Sequence, residues 1–113
     1  MTDRDQIYIK HILDAIATIE GYISGISAED FYANKLCQDG VTRELEIMGE
    51  AVKRLSPECT ASMVSVPWKD IARMRDKLIH DYISVDLDAV WKTATVDVVA
   101  LKKVLLDSIR KFE

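Results

Sequence analysis

Apolar residues recur early in the chain at Ile9, Ile12, Leu13, Ile16, Ile19 and Ile23. Spacings of three and four place them on one stripe of a helix. Thr2 followed by Asp5 makes a capping pattern, and Gly21 and Gly25 weaken the far end, so a helix over roughly 3–25 is predicted. Ser27 and Asp30 repeat the capping pattern and open a short helix through Phe31 and Leu36. Gln38, Asp39 and Gly40 predict a bend or a new helix start. Beyond it Val41, Leu45, Met48, Val52 and Leu55 mark a second long helix that ends before Ser56 and Pro57. These two residues read as an N-cap and a first-turn proline, and so predict a brief helical turn. Pro67 opens another helix, with Trp68, Ile71, Met74, Leu78 and Tyr82 on one face. Asp86 caps the last helix, whose inward stripe is Leu87, Val90, Trp91, Ala94, Val98, Leu101, Leu105 and Phe112.

No segment alternates with period two long enough to predict a strand. The expected architecture is all-α: one domain over 1–113, an antiparallel helical bundle of about four main helices with one or two short ones. The last helix also carries Val96, Val99, Val104 and Ile109 off its main stripe. Such a pattern fits either a helix that meets a second subunit or one central in its own bundle.

Composition narrows the class. Two prolines and four glycines are too few for a turn-rich β fold. No apolar run approaches the roughly 18 residues of a membrane span, and the polar start lacks a signal-peptide pattern. Cys37 and Cys59 are an isolated pair, which points to a reduced, cytoplasmic protein. Only His11 and His80 accompany them and no C-x-x-C pattern occurs, so neither a metal nor a cofactor is expected. The net charge of −4 excludes a surface that grips polyanions everywhere; any RNA must meet a local basic site.

That site is sought in Arg73–Tyr82, where ionisable groups crowd one helix. Arg75 and Tyr82 lie two turns apart on nearly one line, and Asp76 and His80 face each other at i,i+4. Arg75 and His80 diverge by about 140° around a regular helix. They converge only if the helix ends or distorts before His80, or if two copies of the site meet. Taken singly, each residue has a plainer role: an i,i+4 surface pair, a solvated arginine, a tyrosine in register with the core stripe.

Arg75, the polar Asp76 after it, His80 and Tyr82 together form R-x4-H-x-Y. Arg43–Ala51 carries a Gly-Glu-Ala run at Gly49, Glu50 and Ala51, and Asp86–Trp91 begins the last helix. In these features, and over nearly its whole length, the chain resembles the HepT-like toxins of the HEPN superfamily. The resemblance implies a HEPN-type homodimer with the motif residues of both subunits lining one cleft. It implies a metal-independent endoribonuclease, the toxin of a type II or type VII toxin–antitoxin pair. It also implies a partner, a minimal nucleotidyltransferase antitoxin that neutralises the toxin by transferring AMP to Tyr82. The residue types suit such chemistry. When a 2′-hydroxyl attacks the adjacent phosphate, His80 can move protons, Arg75 can stabilise the phosphorane charge, and Asp76 can orient the imidazole. The alternative is a non-catalytic HEPN dimer that binds nucleotide or RNA or regulates a nucleotidyltransferase, a reading that the acidic net charge favours. Glu46 and Glu50 either line the cleft or solvate their helix.

Overall fold

Thr2 starts the first helix as its sequence requires. In the computed structural model, which describes residues 1–81 and 83–111, its hydroxyl accepts from the Asp5 N–H and the Asp5 carboxylate accepts from the Thr2 N–H. Helix α1 (Asp3–Ile23) buries Ile9, Ile12, Ile16 and Ile19, and the chain turns at Gly25, whose φ of 75° suits a residue without a Cβ. The Ser27–Asp30 capping box opens α2 (Ala28–Tyr32).

The bend expected at 38–40 lies elsewhere. Helix α2 stops at Tyr32, and α3 (Lys35–Lys53) starts after Asn34, whose side chain accepts from the Cys37 N–H. Leu36 therefore belongs to the first turn of α3 and is 83% exposed. Gly40 sits inside the helix because Tyr22 of α1 lies over it; a Cβ there would be 3.0 Å from the ring. A side-chain cap of about 1 kcal/mol and this close packing offset the similar cost of a helical glycine.

Ser56 caps α4 (Pro57–Ala61), with proline in the first turn. Pro67 precedes α5 (Trp68–His80), where the Trp68 indole N–H donates to the carbonyls of Thr60 and Met63. Asp86 caps α6 (Leu87–Lys92), which runs unbroken through a π-helical turn at Thr93–Asp97 into α7 (Val98–Lys111). In that turn the Val98 N–H reaches back five residues to the Thr93 carbonyl, and the Thr93 and Thr95 hydroxyls donate to carbonyls four residues back. The apolar rhythm gives no sign of this turn, since Val90, Ala94, Val98 and Leu101 keep ordinary helical spacing and are all buried. Phe112 lies outside the described residues.

Counting 87–111 as one helix, four long and two short helices form the bundle, with no strand among the described residues. Helix α3 packs between α1 and α5. The first pair runs antiparallel: Asp5 near the start of α1 bonds Ser56 just past α3, while Tyr22 near its end covers Gly40. Val96 and Val99 on the last helix are more than half exposed, whereas Val104 and Ile109 are partly buried against the core.

Candidate active site

Helix α5 comes tight against α3 at Gly49. A Cβ there would lie 2.3 Å from the Arg75 Cβ and 2.9 Å from its Cγ, so only glycine admits this contact. The approach holds Arg75 against α3 with its side chain 25% exposed, not as a solvated charge. Its Nη2 lies 3.1 Å from Glu50 Oε2 and its Nη1 2.9 Å from Asp76 Oδ1. Its Nε is buried and has no hydrogen-bond partner among the described residues.

Each carboxylate has a second cation. Arg54 Nε and Nη2 are both 3.1 Å from Glu50 Oε1, and Lys53 Nζ is 2.9 Å from Asp76 Oδ1. The result is an alternating chain, Arg54–Glu50–Arg75–Asp76–Lys53. Three cations against two carboxylates make a locally basic centre on an acidic protein. The hydrogen bond from Lys53, and then that from Arg75, hold the Asp76 carboxyl below its ordinary value.

His80 is the last residue of α5 and is exposed. The helix neither ends nor distorts before it: the Asp81 N–H still donates to the Lys77 carbonyl at 2.9 Å. Arg75 and His80 of one chain therefore stay about 140° apart around the axis. The expected contact between Asp76 and the imidazole is also missing. No hydrogen bond joins them among the described residues, and Asp76 Oδ1 instead serves Lys53 and Arg75. The expected modification residue, Tyr82, lies outside the described residues.

Beside the loop after α5 is a cavity of about 460 Å³, walled on α3 by Gln38, Thr42, Arg43 and Glu46 and floored by Leu78, Val85 and Leu87. Glu46 belongs to this wall and pairs with Arg43 at 3.5 Å. Glu50 is thus the glutamate that joins the motif. Sequence reasoning missed its contact with Arg75, together with the parts played by Lys53 and Arg54. The available signal was Gly49, a glycine in the middle of an otherwise regular helix, where it costs about 1 kcal/mol unless something approaches closely. Among the described residues no three His, Cys, Asp or Glu side chains gather as a metal would require, and no helix is long and apolar enough to cross a membrane.

Comparison with known proteins agrees on one family. The model of the family described as "Ribonuclease HepT-like" matches residues 12–107. A Thermococcus cleftensis protein named "Probable ribonuclease HepT" is 43% identical over 95 residues, 84% of this chain and 86% of its own length. A Caldanaerobacter subterraneus protein named "Putative RNase" is 39% identical over 104 residues, 92% of this chain and 93% of its own. A Methanocaldococcus jannaschii protein named "Gamma-glutamylcyclotransferase and putative RNase" is 39% identical over 108 residues, 96% of this chain but only 49% of its own length. The chain thus spans about half of that relative. No solved structure matches.

Proposed function

Because the chain belongs to the HepT-like ribonuclease family, we propose that it is a metal-independent endoribonuclease, the toxin of a toxin–antitoxin pair acting in the cytoplasm. The observation that carries this reading is Arg75, fixed at the α3–α5 contact at the centre of a basic cluster, five residues before an exposed imidazole. Arginine is always charged and its fork suits phosphate oxygens; histidine gains and loses a proton near neutrality.

The reaction is a transesterification. A His80 imidazole takes the proton of a 2′-hydroxyl, the new O2′–P bond forms, and Arg75 stabilises the charge on the phosphorane. The P–O5′ bond then breaks, and a protonated imidazole returns a proton to the leaving oxygen. The products are a 2′,3′-cyclic phosphate and a 5′-hydroxyl. Asp76 contributes by holding Arg75, since that is where its carboxylate is bonded.

A homodimer supports this scheme best. Arg75 and His80 diverge within one chain, so a cleft shared by two copies brings the required groups together. Ile79 and Ile83 flank His80 and are 38% and 86% exposed, which offers apolar surface beside the motif for such a contact. Tyr82, two residues past His80, is proposed as the residue to which a minimal nucleotidyltransferase antitoxin transfers AMP. A nucleotide there would place negative charge beside the motif and block phosphate entry.

One observation favours a binding module instead: both carboxylates are already spent on Arg75, in a chain of net charge −4. Purified protein incubated with RNA, with His80→Ala as control, separates the two. Cleavage by the wild type and none by the variant supports the nuclease. Tight RNA or nucleotide binding without cleavage supports the module.

A further inference from the structure

We propose that Glu50 is a positioning residue for RNA cleavage: seated beside the Gly49 contact, it fixes the orientation of the Arg75 guanidinium, with Asp76 as the second support. The proposal rests on the ribonuclease reading above.

Arg75 is held at its terminal nitrogens. Its Nε is buried without a partner among the described residues, and none of them sets the plane of the guanidinium at that nitrogen. The plane is set by the terminal nitrogens, where Glu50 takes Nη2 and Asp76 takes Nη1. A guanidinium has five N–H donors. With one Nη1 hydrogen donated to Asp76 and the Nε hydrogen buried, an N–H remains available on each terminal nitrogen, a pair that can meet two phosphate oxygens.

The two supports differ in kind. Asp76 is the next residue along α5 and reaches α3 indirectly, through its hydrogen bond from Lys53. Glu50 belongs to α3, so its ion pair ties the guanidinium directly to a different helix. It is itself braced, because its other oxygen accepts the Arg54 Nε–H one turn later and lies 3.1 Å from Arg54 Nη2. The glycine before it lets the Arg75 Cβ come close enough for this ion pair to form. Gly49 sets the distance, Glu50 the orientation, and Arg54 the rotamer of Glu50.

The test uses the full chain and Glu50→Gln, which keeps shape but removes the charge. Expected is a fall in kcat of about tenfold or more, KM within about twofold, and a melting temperature within a few degrees of wild type, since an isosteric change at a partly exposed pair costs little stability. The Arg75 Nε–H resonance, followed by 15N NMR, should exchange with solvent about tenfold faster in the variant, as expected for a side chain that has lost its cross-helix tether. If Glu50→Gln folds poorly, Glu50→Asp keeps the charge but withdraws it by one methylene, and the same separation of kcat from KM is expected with smaller size. Wild-type kcat in these variants, or lowered kcat with Nε–H exchange unchanged, overturns the proposal. If the wild type cuts no RNA, the ribonuclease reading fails by itself. Exchange in Glu50→Gln then still decides whether Glu50 holds Arg75.

Discussion

Asp5 is 1% exposed and carries a full set of partners: the N–H of Thr2 and the N–H and hydroxyl of Ser56. Burial pushes its carboxyl up, but the Ser56 and Thr2 hydrogen bonds more than offset this and bring it down to about 2 from 3.8. A carboxylate depressed on folding contributes stability that is complete above its unfolded value and is lost as pH falls from about 3.8 toward 2. The contribution is about 2 kcal/mol. Asp5→Asn should therefore cost on the order of 2 kcal/mol in urea denaturation at pH 7, and the gap from wild type should close as pH approaches 2. A variant as stable as wild type at pH 7 would contradict the assignment. The capping role of Asp5 was legible from its place three residues after Thr2. Its tie to Ser56 was not, because nothing local joins the start of α1 to the end of α3. Arg75 repeats the lesson. The motif made it a candidate, but its partner Glu50 lies on another helix and emerges only from packing. Arg75→Lys should lower kcat on the order of a hundredfold in a cleavage assay with near-normal stability, because an ammonium cannot bridge two carboxylates and still present a paired donor to phosphate. Turnover close to wild type would return Arg75 to the surface charges.

Helix α3 shows what element-level reading can and cannot find. Its apolar stripe of Val41, Leu45, Met48 and Val52 was plain from spacing, and all four residues are buried. Its start was misplaced because Gly40 looked like a break, whereas Asn34 supplies the cap and Tyr22 fills the space over the glycine. The capping boxes at Thr2 and Ser27 and the caps at Ser56 and Asp86 were legible because each is a local bond between residues three apart. The π-helical turn at Thr93–Asp97 was not, since it leaves the apolar rhythm intact. The contact between α3 and α5 supports a paired prediction. Gly21 lies within α1 with open space where a Cβ would go, so Gly21→Ala should stabilise by about 0.5–1 kcal/mol through helix propensity. Gly49→Ala gains the same propensity but forces a Cβ to within 2.3 Å of the Arg75 Cβ. The helices must separate, at a net cost of about 1–3 kcal/mol. Thermal denaturation of the two variants checks this, and a Gly49→Ala protein as stable as Gly21→Ala would mean that the approach of α5 is not tight.

At the scale of the whole molecule, the acidic net charge and the basic centre around Arg75 are reconciled by locality: the cations that matter are gathered at one helix crossing. The all-α bundle followed from periodicity. The motif followed from a resemblance that the family comparison supports across residues 12–107. Which surface a second copy would meet did not follow, because exposed apolar residues occur both on the last helix, at Val96 and Val99, and beside the motif, at Ile79 and Ile83. The shared-cleft scheme expects a dimer, so sedimentation at micromolar concentration should give twice the 12.8 kDa of one chain. A species of single-chain mass would remove the scheme, given that α5 is regular through His80. For the partner, mass spectrometry after incubation with a nucleotidyltransferase antitoxin and ATP should find AMP on Tyr82, and Tyr82→Phe should escape neutralisation while keeping some cleavage; AMP elsewhere, or nowhere, refutes that role. The central claim is the chemistry itself, and end-group analysis tests it most directly. RNA incubated with the purified wild-type chain in excess chelator should be cut to fragments ending in 2′,3′-cyclic phosphate and 5′-hydroxyl, with no such products from His80→Ala. Intact RNA with the wild type, cleavage abolished by the chelator, or the same fragments from His80→Ala would contradict it.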